Sequence, residues 1–330
     1  MSILHARLPG LILVSLLGLG GFALAGLPGL ARLQLSALTV AIVLGMLLGN
    51  LAGDRLPPSC TPGIGYAQRT LLRAGVVLYG LRISFQQIAA IGVGALVLDV
   101  AVVASTLALG LWIGPRWLGL DRDTALLTAC GSAICGAAAV LATERILQPE
   151  PGKVAIAVAT VVLFGTLNIF LYPLLYPYLG LAAAEFGIYA GATVHEVAQV
   201  VAVGNAIDPA TADAAVIVKL TRVLLLIPFL LFLGTWQSRR SGRRGAISVP
   251  WFAIGFLGVC ALNSVITPAP AVRAALLDLD TFLLATAMAA LGVETRFGRL
   301  RALGIRPLVL ALSLFGWLSI GGYWLTRWLA

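Results

Sequence analysis

Two cations inside one long apolar stretch constrain this chain more than any other feature of its sequence. Residues 213–235 are long and apolar enough for a membrane-spanning helix, yet Lys219 and Arg222 lie in its first half. A cation near the middle of a bilayer costs at least about 2.5–3.5 kcal/mol on insertion scales, so it seldom persists without a role. Positions three apart share a helix face, so both cations point the same way. The stretch therefore predicts a membrane protein with a charged site inside it.

The composition of the whole chain indicates the same class. Hydrophobic residues make up 60% of the chain and charged residues only 11%, whereas a soluble domain carries about 25% charged residues. The apolar segments predicted to span the membrane are 9–27, 35–52, 71–90, 92–114, 124–143, 153–179, 185–205, 213–235, 249–267, 280–297 and 305–329. The polar loops between them are too short to fold alone. Residues 1–330 are therefore predicted to form a single polytopic all-α membrane domain of about eleven transmembrane helices.

The distribution of Lys and Arg predicts the orientation, because cytoplasmic loops retain positive charge. With the N-terminus inside, fourteen of the 22 Lys and Arg residues lie in inner segments, six in outer segments, and two within 213–235. This distribution favours an inner N-terminus and an outer C-terminus. It also explains the net charge of +9 without a nucleic-acid partner. The first span has a second interpretation, a cleaved signal peptide ending at Ala23-Leu24-Ala25, which would leave ten spans with the same orientation.

The span 124–143 contains the run TACGSAICGAAAV, in which small and polar residues crowd the middle. One interpretation is close helix packing through small residues. The other is a broken helix, because glycine lets the backbone leave helical geometry and the freed N–H groups attract anions. On the second interpretation Ser132 and Cys135 lie in a binding site. The span 280–297, with Thr286 and Gly292, is a weaker candidate for the same device.

The span 185–205 carries His195, Glu196 and Gln199, and a carboxylate inside a span must be paired, protonated or hydrated. Glu196 can form a structural ion pair with Lys219 or Arg222, which leaves one cation over. That remaining positive charge favours an anionic substrate. His195 is either a hydrogen-bonded structural residue or, beside Glu196, a relay for protons.

Other polar residues inside the predicted spans are Asp99, Asn168 and Asn263, which either hold helices together or face a cavity. The four cysteines form no CxxC pair and the chain has two histidines, so neither a metal site nor a cofactor is expected. The chain has no Walker loop and no GxSxG motif, and HEVAQ lacks the second histidine of a zinc-protease motif. The sequence therefore does not indicate an enzyme.

Internal repeats are expected, because many transporters are built from duplicated halves. Residues 71–98 align to 283–310, pairing Gly80 with Gly292 and Gly92 with Gly304. Residues 131–158 align to 191–218, pairing Gly131 with Gly191. The two alignments do not combine into one simple duplication. We therefore predict duplicated elements in the chain without choosing either alignment.

The run GATVHEVAQVVAVG (191–204), followed by KLTRVLLLIP (219–228), resembles the YeiH-like bacterial membrane family, whose members are often labelled sulfate exporters. TACGSAICGAAAV, VPWFAIGFLGVCALNS and AMAALGVETRF fit the same pattern, and the resemblance covers nearly the whole chain. This family is similar in architecture to the clan of sodium–proton antiporters and bile-acid symporters. The resemblance implies an inverted repeat of five plus five helices after one extra N-terminal span. It also implies two crossing broken helices, at 124–143 and 280–297.

The same resemblance implies a bacterial inner membrane, in which the Lys and Arg distribution predicts a cytoplasmic N-terminus and a periplasmic C-terminus. The site residues that it carries over lie in matching motifs: Ser132, Cys135, His195, Glu196, Gln199, Lys219 and Arg222. The paired acids that typify many sodium–proton exchangers do not occur in this chain, which argues against sodium exchange.

The sequence therefore predicts a secondary transporter that exports a small anion, such as sulfate or a sulfonate, by alternating access, with proton coupling as an option. Substrate binding is assigned to Ser132, Cys135, Gln199, Lys219 and Arg222, and coupling to His195 and Glu196. Two alternatives stay open. One is a cation–proton exchanger in which Lys219 competes as an internal cation for Glu196, and the other is a membrane scaffold or sensor that transports nothing. The substrate, the direction of transport, the coupling ion and the oligomeric state are not determined by these motifs.

Overall fold

The computed structural model of the chain describes residues 3–27, 36–241, 251–266, 269–296, 298 and 304–329. Within these residues every regular element is helical, as the sequence predicts. The α-helices are α1 (Ile3–Ala25), α2 (Ala37–Leu51), α3 (Thr61–Tyr66), α4 (Leu72–Tyr79), α5 (Phe85–Trp117), α6 (Arg122–Ala133), α7 (Ala137–Leu147), α8 (Pro151–Leu179), α9 (Ala183–Thr193), α10 (Val197–Asn205), α11 (Pro209–Leu224), α12 (Leu226–Ser241), α13 (Trp251–Val265), α14 (Pro270–Glu294), α15 (Ile305–Gly316) and α16 (Gly322–Leu329).

Several of these helices are long and apolar enough to cross a bilayer. Among the described residues, six stretches meet that requirement: Ala6–Ala25, Phe85–Trp117, Gly152–Leu179, Pro209–Arg239, Pro270–Glu294 and Ile305–Leu329. The shorter helices α2 and α13 are also apolar. Each segment predicted to span the membrane overlaps one described helix or two consecutive ones. The class predicted from the sequence, an all-α membrane protein, is therefore confirmed, while the single-domain organisation stays a prediction.

The first compact unit contains residues 1–89, 205–207 and 252–299. Its helix α14 packs along α1, α2 and α4. The approach of α2 to α14 requires small residues, because a side chain at Gly45 or at Gly292 would overlap the backbone of the facing helix. The buried Asp280 of α14 is paired with Arg82, whose Nη2 lies 2.8 Å from a carboxylate oxygen. Asn263, a candidate cavity residue, belongs to this unit and donates its amide hydrogen to the carbonyl of Ile83.

The second compact unit contains residues 90–204, 208–251 and 300–330. Helix α8 packs on α6 and α7, and α9 packs on α11. Apolar residues of α5 form a buried cluster with residues of α9, α11 and the π-helical segment Trp317–Gly321; its members are Ala95, Leu98, Val102, Ala192, Val218 and Leu318. Asp121 caps α6 by accepting a hydrogen bond from the backbone N–H of Thr124, and Asp208 caps α11 in the same way through Thr211.

The predicted span 71–90 does not coincide with one helix. Helical turns run from Thr61 to Arg82, and Ile83 and Ser84 are not helical, so the predicted segment covers the end of one helical region and the start of α5. The physical reason lies in Arg82. Its guanidinium binds Asp280 and the carbonyl of Leu277 on α14, which holds a polar helix end at this point.

The predicted second broken helix at 280–297 is wrong, because α14 is continuous from Pro270 to Glu294; residue 297 lies outside the described residues. The small residues that suggested a break serve close packing instead. A Cβ on Gly45 of α2 would overlap the carbonyl of Ala289, so this face of α14 is where the two helices touch.

Each repeat alignment pairs one place with similar backbone geometry. In the first alignment, Gly92 kinks α5 with φ 79° and ψ 177°, and Gly304 directly precedes α15 with φ 78° and ψ 151°. Such positive φ values favour glycine, because a Cβ would clash with the backbone. In the second alignment, residues 134–136 correspond to 194–196, and the helix is interrupted at both places. The expectation of duplicated elements thus matches the observed backbone at these positions.

Candidate functional site

The first helix interruption separates α6 from α7 at Ile134, Cys135 and Gly136. Ile134 leaves helical geometry with φ −116° and ψ −82°, and Gly136 has φ 71° and ψ −140°. A Cβ at Gly136 would also overlap the side chain of Glu196. This position therefore needs glycine both for its backbone angles and for its neighbour. The broken-helix interpretation of 124–143 is confirmed.

The second interruption separates α9 from α10 at Val194, His195 and Glu196, inside a span that the sequence predicted as continuous. Val194 is extended, with φ −67° and ψ 146°. The backbone N–H of Glu196 donates a hydrogen bond to Oε1 of Gln199 at 3.0 Å. A Gln that reaches back to the residue before a helix is half of a capping box. The spacing Glu196-x-x-Gln199 was thus a sequence signal for a helix start at Val197.

Lys219 and Arg222 bind the C-terminal ends of the two half-helices that precede the interruptions. Nζ of Lys219 donates to the carbonyls of Ile134 at 2.9 Å and Val194 at 2.5 Å. Arg222 donates to the carbonyls of Ala133 at 2.5 Å, Ser132 at 3.1 Å and Ala192. Helix C-termini leave carbonyls without partners and carry partial negative charge. The two cations, each 0% exposed, therefore complete both helix ends and hold them together.

Glu196 lies at the opposite, N-terminal side of the interruptions. Its Oε1 accepts a hydrogen bond from the backbone N–H of Ala137, the first residue of α7, at 3.2 Å. Glu196 itself directly precedes Val197, the first residue of α10. Helix N-termini carry partial positive charge and free N–H donors, so a carboxylate is the complementary group there. Each type of helix end thus has a side chain of the opposite charge.

Asp99 of α5 lies close enough to Arg222 and Lys219 to interact electrostatically with both. It is fully buried, and within the described residues neither of its carboxylate oxygens has a hydrogen-bond partner. The sequence argument for one remaining cation did not count this second acid. Lys219 and Arg222 are accompanied by two carboxylates, Asp99 and Glu196, and the distance of Asp99 in sequence concealed this.

Further polar groups surround the second interruption. Nδ2 of Asn168, on α8, lies 3.5 Å from Nδ1 of His195. The side-chain amide of Gln199 packs on Gly165 of α8, where any side chain would overlap it. Among the described residues, Nε2 of Gln199 and Oδ1 of Asn168 are buried without a hydrogen-bond partner. An unused hydrogen-bond donor and an unused acceptor therefore remain beside the second interruption.

A hydroxyl network that the sequence did not reveal supports the end of α9. Tyr172 of α8 donates a hydrogen bond to Oγ1 of Thr193 at 3.0 Å, and Thr193 donates to the carbonyl of Tyr189 at 2.6 Å. The rings of Tyr172 and Tyr189 are stacked with centroids 4.9 Å apart. No local motif marks these residues, because α8 and α9 supply them from separate segments.

The structure thus collects most of the predicted site residues around the two interruptions. Contacts or electrostatic interactions join Ser132, Cys135, His195, Glu196, Gln199, Lys219, Arg222, Asp99 and Asn168 in the second unit. Ser132 contributes its carbonyl, to Arg222. Cys135 interacts electrostatically with Lys219, Arg222 and Glu196. Asn263 belongs to the first unit and is not part of this group.

A helical fold with long apolar spans and a buried polar site around two helix interruptions defines a polytopic all-α membrane protein. The chain belongs to the family described as Conserved hypothetical protein 698, whose model matches residues 9–311.

Its relatives are named as membrane proteins. The chain is 51% identical over 331 residues to a UPF0324 membrane protein of Bordetella pertussis, covering 97% of this chain and 94% of the relative. It is 48% identical over 332 residues to a UPF0324 membrane protein of Pseudomonas aeruginosa, with 97% and 94% covered. It is 47% identical over 323 residues to the UPF0324 inner membrane protein YeiH of Escherichia coli K12, with 96% and 92% covered. The resemblance to the YeiH-like family is confirmed. No solved structure matches the chain.

Proposed function

We propose that this protein is a secondary transporter that moves a small anion, such as sulfate or a sulfonate, by alternating access. Interrupted helices that meet inside a membrane domain are the usual means by which transporters present backbone N–H groups to an anionic substrate. The relatives are named only as membrane proteins, so the transported ion is inferred from the chemistry of the site.

The observation that supports the proposal most strongly is the hydrogen bond that the Glu196 carboxylate accepts from the backbone N–H of Ala137. A helix N-terminal end that holds a carboxylate also has the donors and the dipole for a sulfate or sulfonate group. The cations, in contrast, direct their N–H groups to five backbone carbonyls and are 0% exposed. Lys219 and Arg222 therefore act through their positive potential and hold the site in shape.

The remaining residues have the following roles in this proposal. Gln199 offers its Nε2 donor, which has no partner among the described residues, while Ser132 and Cys135 form the wall at the first interruption. His195 and Glu196 serve coupling, with Asn168 orienting the His195 ring. Asp99 balances the charge of the cations. No cofactor, metal or enzymatic step is required.

The membrane setting is part of the proposal. A relative is named an inner membrane protein. We place this chain in the same membrane with a cytoplasmic N-terminus and a periplasmic C-terminus, because that orientation leaves most Arg and Lys inside. Export is the direction that the YeiH-like label suggests.

A cation–proton exchanger is the second candidate, and one observation favours it. Five carbonyl oxygens converge on Lys219 and Arg222, and such oxygens also suit a metal cation. A free cation would have to displace a fully buried lysine, whereas an anion needs only to displace the more exposed Glu196. A scaffold or sensor that transports nothing is the third candidate.

Flux into proteoliposomes containing the purified full-length chain tests these candidates. We expect uptake of radiolabelled sulfate or methanesulfonate and none of radiolabelled sodium. Gln199→Glu should abolish the anion flux, because the new side chain keeps an oxygen for the Glu196 N–H but replaces the free N–H donors with a negative charge. Gln148→Glu, on the exposed residue after α7, is the matched control and should transport normally.

Sodium flux without anion flux would favour the second candidate. The absence of all three fluxes would favour the scaffold. Anion flux that is unchanged in Gln199→Glu would exclude the proposed site.

A further inference from the structure

The Glu196 carboxylate occupies the position in which an anion would be bound. Its Oε1 accepts the N–H of Ala137 at the start of α7, and its own backbone N–H is held by Gln199 at the start of α10. These are the donors and the positive helix ends that attract a free anion. The site as observed is therefore filled by an anionic group of the protein itself.

A second observation indicates that this place is built for a ligand beyond Glu196. Gln199 is 0% exposed, and its side-chain head lies at the start of α10 because Oε1 accepts the Glu196 N–H. Within the part of the chain that the structure describes, Nε2 on the same head has no hydrogen-bond partner. Burying an unpaired amide donor costs stability, so such groups usually have a partner in some state of the molecule. A sulfate or sulfonate oxygen is a suitable acceptor.

The oppositely charged groups differ in how easily they can move. Lys219 and Arg222 are 0% exposed and bridge two helix ends, whereas Glu196 is 8% exposed. A carboxylate can also lose its charge by taking up a proton, whereas an arginine keeps its charge near neutral pH. Glu196 is therefore the group that can leave its position while the helix ends stay in place.

We propose that the Glu196 carboxylate is a built-in substitute for the transported anion, and that it leaves Ala137 on taking up a proton as the anion binds. This inference rests on the proposed anion transport and adds its coupling. The proton comes from the aqueous phase that the site faces, bonds to a carboxylate oxygen of Glu196, and travels with the anion. When the anion leaves on the other side, the proton is released and the carboxylate returns to the N–H of Ala137.

The charges around Glu196 explain why anion binding is linked to the protonation of Glu196. Lys219 of α11 and Cys135 between α6 and α7 interact with it electrostatically, and His195 is its neighbour in the chain. Arg222 and Asp99 interact with Lys219 in turn. A second negative charge at the same helix end would repel an ionised Glu196, and protonation removes that repulsion.

Binding of sodium sulfate and sodium methanesulfonate to the detergent-purified full-length chain, measured between pH 5 and pH 8, tests the inference. We expect the apparent affinity of the wild-type protein for the anion to fall about tenfold for each unit of rising pH where Glu196 is ionised, as one linked proton requires. In Glu196→Gln, which stays uncharged, the affinity should not depend on pH. Glu185→Gln is the matched control, since Glu185 accepts a backbone N–H at the other end of α9, and it should keep the wild-type dependence.

A second measurement needs no variant and tests the coupling of anion binding to proton uptake even if Glu196→Gln does not fold. Addition of either anion to the weakly buffered wild-type protein should take up about one proton per anion bound, detected with a pH indicator. Anion binding without proton uptake, or with equal pH dependence in wild type and Glu196→Gln, would overturn the coupling and leave anion transport standing. If neither anion binds at any pH, both the transport proposal and this inference are overturned.

Discussion

The two compact units bury charge in different ways. In the first unit an acid meets a base directly, since Asp280 and Arg82 lie 2.8 Å apart. In the second unit Lys219 and Arg222 donate to backbone carbonyls at two helix ends, and the carboxylate of Asp99 interacts with them without a hydrogen bond from any described residue. A side-chain pair can be removed together, whereas carbonyls at a helix end remain when the cation is gone. The comparison therefore separates charge that serves packing from charge that maintains an interrupted helix.

The largest effect is expected from Arg222→Met. This change removes the side-chain donor of three carbonyls at two helix ends and one of the two positive charges near Asp99, so it should cost about 3–5 kcal/mol of stability. The measurement is the free energy of unfolding of the detergent-purified protein. Arg145→Met, on the exposed side of α7, is the control and should stay within about 0.5 kcal/mol of wild type. Equal effects of the two changes would contradict the role of Arg222.

The second expected effect is a loss of stability when the ion pair of the first unit is broken, and its recovery when both partners are removed. Arg82→Met should cost about 2–3 kcal/mol, less than a fully buried pair, because the Arg82 side chain is 31% exposed. Adding Asp280→Leu should restore most of the stability, since no charge then stays buried. The same design in the second unit, Arg222→Met with Asp99→Leu, should not recover, because the carbonyls remain. Recovery in both units would remove the distinction.

A smaller effect is expected from Gly136→Ala in the first interruption. At φ 71° and ψ −140°, a backbone region open essentially to glycine, a residue with a Cβ costs about 1–3 kcal/mol, and this Cβ would also displace the Glu196 side chain. We therefore expect a modest fall in the unfolding midpoint but a large loss of anion flux in proteoliposomes. Gly234→Ala in helix α12, where a Cβ has open space, is the control and should be stable and active. Normal flux in Gly136→Ala would mean that the position of Glu196 does not matter.

The smallest effect is expected from Tyr172→Phe. This change removes a neutral hydrogen bond to Thr193 at the end of α9, which is worth about 0.5–1.5 kcal/mol. Thermal unfolding should show this loss beside Tyr178→Phe, which is 85% exposed and should match wild type. A loss as large as that of Arg222→Met would show that hydroxyl groups, and not cations, hold this helix end.

Local sequence signals predicted the first interruption but not the second. At Gly136 the backbone needs a positive φ, and glycine is the residue that reports this need directly. The second interruption has no glycine between Val194 and Glu196, and its clearest local signal is a Gln three residues after Glu196. At 280–297, small residues gave the same pattern as a break but serve the contact of α14 with α2. Small residues alone therefore do not distinguish a break from close packing.

The sequence by itself determined the class of the protein and the residues that matter. Its apolar spans require helices, and cations inside an apolar span must have partners. Only the tertiary structure decided what those partners are. Lys219 binds Ile134, 85 residues away in the chain, and Asp99 reaches the same cations from a separate helix. A helix end and a carboxylate can satisfy a buried cation equally well, so the choice between them depends on which segments the folded chain brings together.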